Sequence, residues 1–163
     1  MKITLLCAGK IKEKYLTDGI DEYSKRLKRF CQLDIIAVQD EKTPENASDS
    51  ENEKIKNTEG KRMAEYLDKC EGPDTYVIAL AIKGREFTSE EFSEKISDLM
   101  LSGKSHILFI IGGSLGLSDE VLKRSDMKLS FSTFTFPHQL MRLIFLEQLY
   151  RAFKIRAHEP YHK

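Results

Sequence analysis

Apolar residues along this chain fall into two kinds of pattern. Short unbroken runs stand at Lys2–Ala8 (KITLLCA), Leu33–Val38 (LDIIAV), Thr75–Ile82 (TYVIALAI) and His106–Ile111 (HILFII). Runs that are continuous rather than alternating predict strands covered on both faces of a sheet. Between them the spacing changes. Tyr15, Leu16, Ile20, Tyr23 and Leu27 recur at helical intervals among charges, which predicts an amphipathic helix over Glu13–Arg29. A second helix is expected from Ser89-Glu90-Glu91 to about Leu101, with the serine as cap and the acids at the positive end of the dipole. Ser118-Asp119-Glu120 starts a short helix, and Met127–Phe131 reads as a brief strand. Pro137 suits the first turn of a helix running to about Ile155. That helix is apolar nearly all round (Leu140, Met141, Leu143, Ile144, Phe145, Leu146, Leu149, Phe153). Such a helix must be buried on more than one side, and a second subunit is the expected cover.

The polar stretch Gln39–Asn57, with Pro44 and Asn46, reads as an exposed loop leading into a helix that ends near Cys70. Glu71-Gly72-Pro73-Asp74 is a turn by composition. Strands alternating with helices predict one α/β domain over residues 1–163, with a mainly parallel sheet flanked by helices.

Composition narrows the class. With 40% apolar and 32% charged residues the chain suits a globular domain. No apolar run approaches the roughly 18 residues of a membrane span, and no signal-peptide pattern follows Lys2–Lys14, so a cytoplasmic protein without membrane contact is expected. Cys7, Cys31 and Cys70, and the four histidines, lack metal-ligand spacing, so no metal is expected and the thiols read as reduced and structural. Net charge is zero, but Asp40–Gly60 carries seven acids against three lysines. Pro137–Lys163 reverses the balance, with five bases against two acids. A basic C-terminus could set a positive field against phosphate, although a solvated helical face gives the same count.

Three segments could carry chemistry. Ile111-Gly112-Gly113-Ser114-Leu115-Gly116 follows a buried strand and precedes a helix, where glycines let the backbone approach a ligand; it matches neither a Walker loop nor the dinucleotide fingerprint. A plain strand-to-helix turn is the alternative. Phe131–Phe136 (FSTFTF) alternates aromatic and hydroxyl residues, enough to wall in and hydrogen-bond an adenosine, or simply to pack a core loop. The terminal Tyr161-His162-Lys163 is either an uninformative end or a tail that folds over a site. No residue has the context of a catalytic nucleophile.

In order along the chain, KITLLCAGKIKEKY, DEKTPEN, IGGSLG, LSFSTFTFPHQLMR, EQLYRAFKI and the final YHK resemble the SPOUT-class methyltransferases of the RlmH type. Those enzymes methylate N3 of a pseudouridine in bacterial 23S, large-subunit ribosomal RNA. The resemblance spans essentially the whole chain. It implies a parallel α/β fold with a C-terminal trefoil knot, one of the rare exceptions to unthreaded topology. It implies S-adenosyl-L-methionine as cofactor, held by Leu80, Gly112, Phe131, Ser132, Thr133, Phe134, Thr135 and Phe136. It further implies a homodimer whose partner subunit completes the RNA site, and Arg151, Tyr161 and His162 as catalytic residues.

On this basis Arg151 is expected to stabilise charge on the pseudouridine oxygens while His162, or a water it orients, takes the N3 proton. Arg142, Lys154, Arg156 and Lys163 are expected to contact RNA, within the 70S ribosome or its large subunit. The competing readings are a methyltransferase of the same fold acting on transfer RNA and a non-enzymatic ribosome-binding factor with no cofactor affinity.

Overall fold

A computed structural model describes residues 1–162; Lys163, expected above to contact RNA, lies outside the described residues. The elements alternate as the apolar pattern predicts: β1 (Lys2–Ala8), α1 (Lys14–Leu27), β2 (Gln32–Val38), α2 (Asp49–Cys70), β3 (Thr75–Glu86), α3 (Ser89–Leu101), β4 (His106–Ile111), α4 (Asp119–Arg124), β5 (Met127–Ser130) and α5 (His138–Arg156). All five strands join one sheet in the order β2-β1-β4-β3-β5, and every pairing is parallel.

Helices cover both faces. On one, Ile3, Leu5 and Cys7 of β1 and Ile107 and Phe109 of β4 pack with residues of α1, α3 and α5, including Ile20, Phe92, Phe145 and Leu149. On the other, Leu6, Leu108 and Ile110 meet Met63 and Leu67 of α2 and Val121 of α4. Strand residues feed these two clusters alternately, which is why their sequence is continuously apolar. Each fully buried Leu, Ile or Phe contributes roughly 1.5–3 kcal/mol, so β1 and β4 anchor the layers that frame the strand ends.

Three expectations need correction, besides the cap of α3, which is Thr88 accepting from the Glu91 N–H and not Ser89. The segment Gln39–Asn57 is not loop throughout, because α2 begins at Asp49. Ser48 accepts from the Glu51 N–H and Glu51 reaches back to the Ser48 N–H, a capping box that starts the helix despite its polar first turns.

Secondly, β3 extends past Ile82 to Glu86. Its pairing with β5 slips between Leu80 and Arg85, both of which register against Leu129. The bulge takes Ala81–Gly84 out of the ladder. A Cβ on Gly84 would lie 2.6 Å from the Leu129 carbonyl carbon, so only glycine allows β3 to rejoin β5 there.

Thirdly, α5 finds its cover within the chain. It lies between α1 and α3, with Met141, Phe145, Leu146, Leu149, Ala152 and Phe153 buried. Gly19 lets α1 approach closely: a Cβ there would meet Leu143 Cδ2 at 2.9 Å. The apolar character of α5 therefore does not itself require a second subunit.

Candidate functional site

In a parallel sheet the carboxyl ends of the strands are where a ligand meets loops and helix starts. Here the ends of β4 and β5 and the bulge of β3 surround an open cleft of about 660 Å³. Leu80, Ile82, Leu129, Phe131 and Phe136 give it apolar walls, Ser132 and Thr135 add hydroxyls, and Gly112, Gly113 and Gly116 form its floor. Seven of the eight cofactor residues expected from sequence meet here: Leu80, Gly112, Phe131, Ser132, Phe134, Thr135 and Phe136. Thr133 is exposed and is not among the lining residues.

The floor depends on Gly112. A Cβ there would sit 2.5 Å from the backbone carbon of Gly116 and 2.9 Å from the Leu117 nitrogen. The loop closes on itself through the Gly116 N–H donating to the Gly113 carbonyl at 3.1 Å, and Gly116 itself has φ +80°. The opposite wall is shaped by Ser132, whose hydroxyl accepts from the Phe134 N–H at 3.1 Å and turns the chain sharply. Phe134 is left 78% exposed at the mouth. An apolar slot with a few hydroxyls and close-approach backbone can take a ligand with a flat, apolar face and hydrogen-bonding edges.

A second constellation lies far along α5. Arg151 pairs with Glu147, and its guanidinium carbon stacks 4.8 Å from the centroid of the Tyr161 ring. Its Nη1 is 3.3 Å from His162 Nδ1, and His162 Nε2 is 2.6 Å from the Glu90 carboxylate. The Tyr161 hydroxyl donates to Glu147 at 3.0 Å and lies 3.2 Å from that of Tyr23. Burial, then the bonds to Tyr23 and Glu147, push the Tyr161 phenol well above its usual range, so it stays protonated and serves as a donor. The Glu147 hydrogen bond likewise holds Arg151 in its charged form. Arg151 Nε is buried with no partner among the described residues. The three expected catalytic residues thus form one cluster. At 1.5 Å per residue, however, Arg151 stands on the order of 20 Å from His138 at the cleft end of the same helix.

A family model described as "Predicted SPOUT methyltransferase" matches residues 1–162. The chain belongs to the SPOUT methyltransferase family. A Bifidobacterium adolescentis protein named ribosomal RNA large subunit methyltransferase H is 61% identical over 163 residues, covering all of both chains. A Clostridium kluyveri protein of the same name is 58% identical with the same coverage. A solved structure from Haemophilus influenzae, described as a "probable methylase family protein", superposes with a TM-score of 0.55 at 14% identity, over 99% of this chain and 70% of that one. That likeness concerns fold alone.

Within this SPOUT methyltransferase, one expected RNA contact is removed by the structure. Arg142 is 2% exposed and donates to the Ala8 carbonyl, tying α5 to the end of β1; a guanidinium sealed from solvent cannot meet phosphate. Arg156 is exposed, and Lys154 is partly buried against Glu159 at 2.5 Å. The thiols read as structural fit their surroundings, since burial pushes Cys7 up to about 12 and Cys31 to about 11. Among the described residues no helix is long and apolar enough to cross a membrane.

Several site residues escaped the sequence. Glu147, Tyr23 and Glu90 carry no local motif, and only folding gathers them around the tail. Glu59 is another. It is 4% exposed, accepts from the Glu41 N–H at 2.9 Å, and lies so close beneath Gly113 that a Cβ there would meet its Oε2 at 2.6 Å. It therefore joins the β2–α2 connection to the glycine floor.

Burial, followed by the charges of Asp40 and Glu41, raises the Glu59 carboxyl above its ordinary value despite the Glu41 N–H and Arg62. The folded state thus binds the proton more tightly than the unfolded one. The stability this contributes is complete below the unfolded pKa and is lost as pH rises through the folded one. Glu59→Gln is expected to raise the melting temperature at pH 7.5, with the gain vanishing toward pH 4. Glu59→Ala should cost about 1–3 kcal/mol in urea unfolding, because the half-buried Glu41 N–H loses its partner.

Proposed function

We propose that this chain is an S-adenosylmethionine-dependent methyltransferase acting on N3 of a pseudouridine in large-subunit ribosomal RNA. It works in the cytoplasm as a homodimer on the assembled ribosome or large subunit, and residues 1–163 form its single methyltransferase domain. The observation that carries the cofactor part is the cleft at the strand ends, where Leu80, Gly112 and the Phe131–Phe136 loop converge. The ribosomal substrate rests on the names of full-length relatives at 58–61% identity. The trefoil threading of the C-terminal portion belongs to the same reading.

When bound, the cofactor supplies an activated methyl group on a sulfonium. The chain's own residues then have to align, desolvate and deprotonate the acceptor. N3 of pseudouridine lies between two carbonyls, so removing its proton spreads negative charge over two oxygens. Arg151, kept charged by Glu147 and stacked on Tyr161, is the donor that would stabilise that charge. Tyr161, held protonated, is a second donor. The His162 ring, between Arg151 and Glu90, or a water it orients, receives the proton.

The separation along α5 supports the dimer. One chain holds its cleft and its arginine cluster at different ends of the helix, so a partner's cluster placed over the cleft would complete the site. Exposed Phe134 and Ile82 at the cleft mouth, 78% and 54% accessible, are apolar surface available to that contact. Arg156 and Lys154 remain the candidate phosphate contacts of the described chain.

Isothermal titration with S-adenosylmethionine, followed by methyl transfer to ribosomes and to transfer RNA, tests this reading. Saturable binding with label in large-subunit RNA supports it. Label in transfer RNA would assign the alternative substrate, and a folded protein that binds no cofactor would be a binding factor.

A further inference from the structure

His138 has no part in the mechanism above, yet it opens α5 at the edge of the cleft and its side chain contributes to the lining. The ring is half-buried, and among the described residues it makes no hydrogen bond. The other lining residues are Leu, Ile, Ala, Met, Phe, Gly, Ser and Thr, so His138 is the one side chain of the cleft that can change charge near neutral pH. We propose that His138 is a cofactor-facing residue that sets the cleft's preference between the cationic methyl donor and its neutral, demethylated product.

The inference rests on the reading of this cleft as the cofactor site. The methyl donor carries a sulfonium charge that S-adenosylhomocysteine lacks; the two molecules otherwise present the same adenosine, carboxylate and amine. Aromatic walls such as Phe131 and Phe136 tolerate a cation, whereas a protonated imidazole beside them would repel it. Burial, and then the positive charge of Arg142 one turn further along α5, hold His138 below its usual range; Asp40, in the β2–α2 connection, opposes them. The ring is therefore neutral at physiological pH, and the cleft presents no positive charge to the donor. Acid reverses this: donor affinity is complete above the His138 pKa and is lost as pH falls through it, while product affinity lacks that charge repulsion.

The test is calorimetric titration of the full-length protein with S-adenosylmethionine and, separately, S-adenosylhomocysteine across a pH series from 7.5 down to the lowest pH at which the protein stays folded. The parent, His138→Asn and His138→Gln are compared, each checked for folding by its melting curve. A like charge in such a setting shifts a pKa by on the order of one unit, so the parent's donor-to-product affinity ratio should fall as pH drops through the His138 pKa, toward a limit of about tenfold once the ring is protonated in both free and bound protein. In both variants the ratio should stay flat, since the ligands' own titrations are unchanged. An equal fall in the variants, or no fall in the parent, overturns the role of His138 while leaving the cofactor site standing. A parent that binds neither ligand removes the cofactor reading and this proposal with it.

Discussion

Arg151→Ala is expected to slow methyl transfer by about 10²–10³-fold while leaving affinity for S-adenosylmethionine unchanged. The split follows from position. Arg151 lines none of the cleft, so its loss removes charge stabilisation at the acceptor without touching the cofactor walls. Arg151→Lys should recover little, because a lysine cannot hold Glu147 and His162 with two nitrogens of one plane while stacking on Tyr161. Single-turnover rates with ribosomes, read beside calorimetric affinities, check both halves. A variant that loses cofactor affinity instead would place Arg151 in the cofactor site.

Gly112→Ala is expected to have the opposite signature. Its methyl group would press into the backbone of Gly116 and Leu117, which cannot yield like a flexible side chain. Overpacking of this kind typically costs 1–3 kcal/mol, and a deformed floor would pass that cost to binding, roughly a 5- to 150-fold loss of cofactor affinity. Gly72→Ala is the matched control, since nothing lies within 4 Å of its Cβ position. The two variants can then be mixed. If each site combines one subunit's cleft with its partner's Arg151, a mixed dimer holds one intact site and one doubly damaged site. Equal mixing after subunit exchange should restore about a quarter of parental turnover. The mixing is read at a cofactor concentration that saturates the parent but not Gly112→Ala; two variants that stay slow together there would mean that each chain builds its own site.

What could be read from the chain before folding follows from physical range. Continuous apolar runs locate buried parallel strands because both faces of the sheet impose the same demand, and β1 and β4 stand where those runs stand. The glycine floor and the Phe131–Phe136 wall were legible as local segments, because close approach and turn chemistry act between neighbours in sequence. The start of α2 is masked by the acidic composition around it, which suits a loop, although its capping box, Ser48 with Glu51, is a local signal. Arg142 departs from expectation for a different reason. Its charge suggests solvent, but it donates a hydrogen bond to a carbonyl 134 residues away. The cover of α5 by α1 and α3, the Glu59 support beneath Gly113 and the Glu147–Tyr23–Glu90 ring around the tail are likewise long-range, and no pattern along the chain encodes them.

The most direct test of the account is transfer of labelled methyl from S-adenosylmethionine by the purified protein to ribosomes lacking the modification. The label is then mapped in the extracted RNA by nuclease digestion and mass spectrometry. Label is expected on N3 of a single pseudouridine of the large-subunit RNA, reduced at limiting cofactor by Gly112→Ala and at any cofactor concentration by Arg151→Ala. A protein that binds the cofactor yet leaves ribosomal RNA unlabelled, or labels transfer RNA in its place, would contradict it.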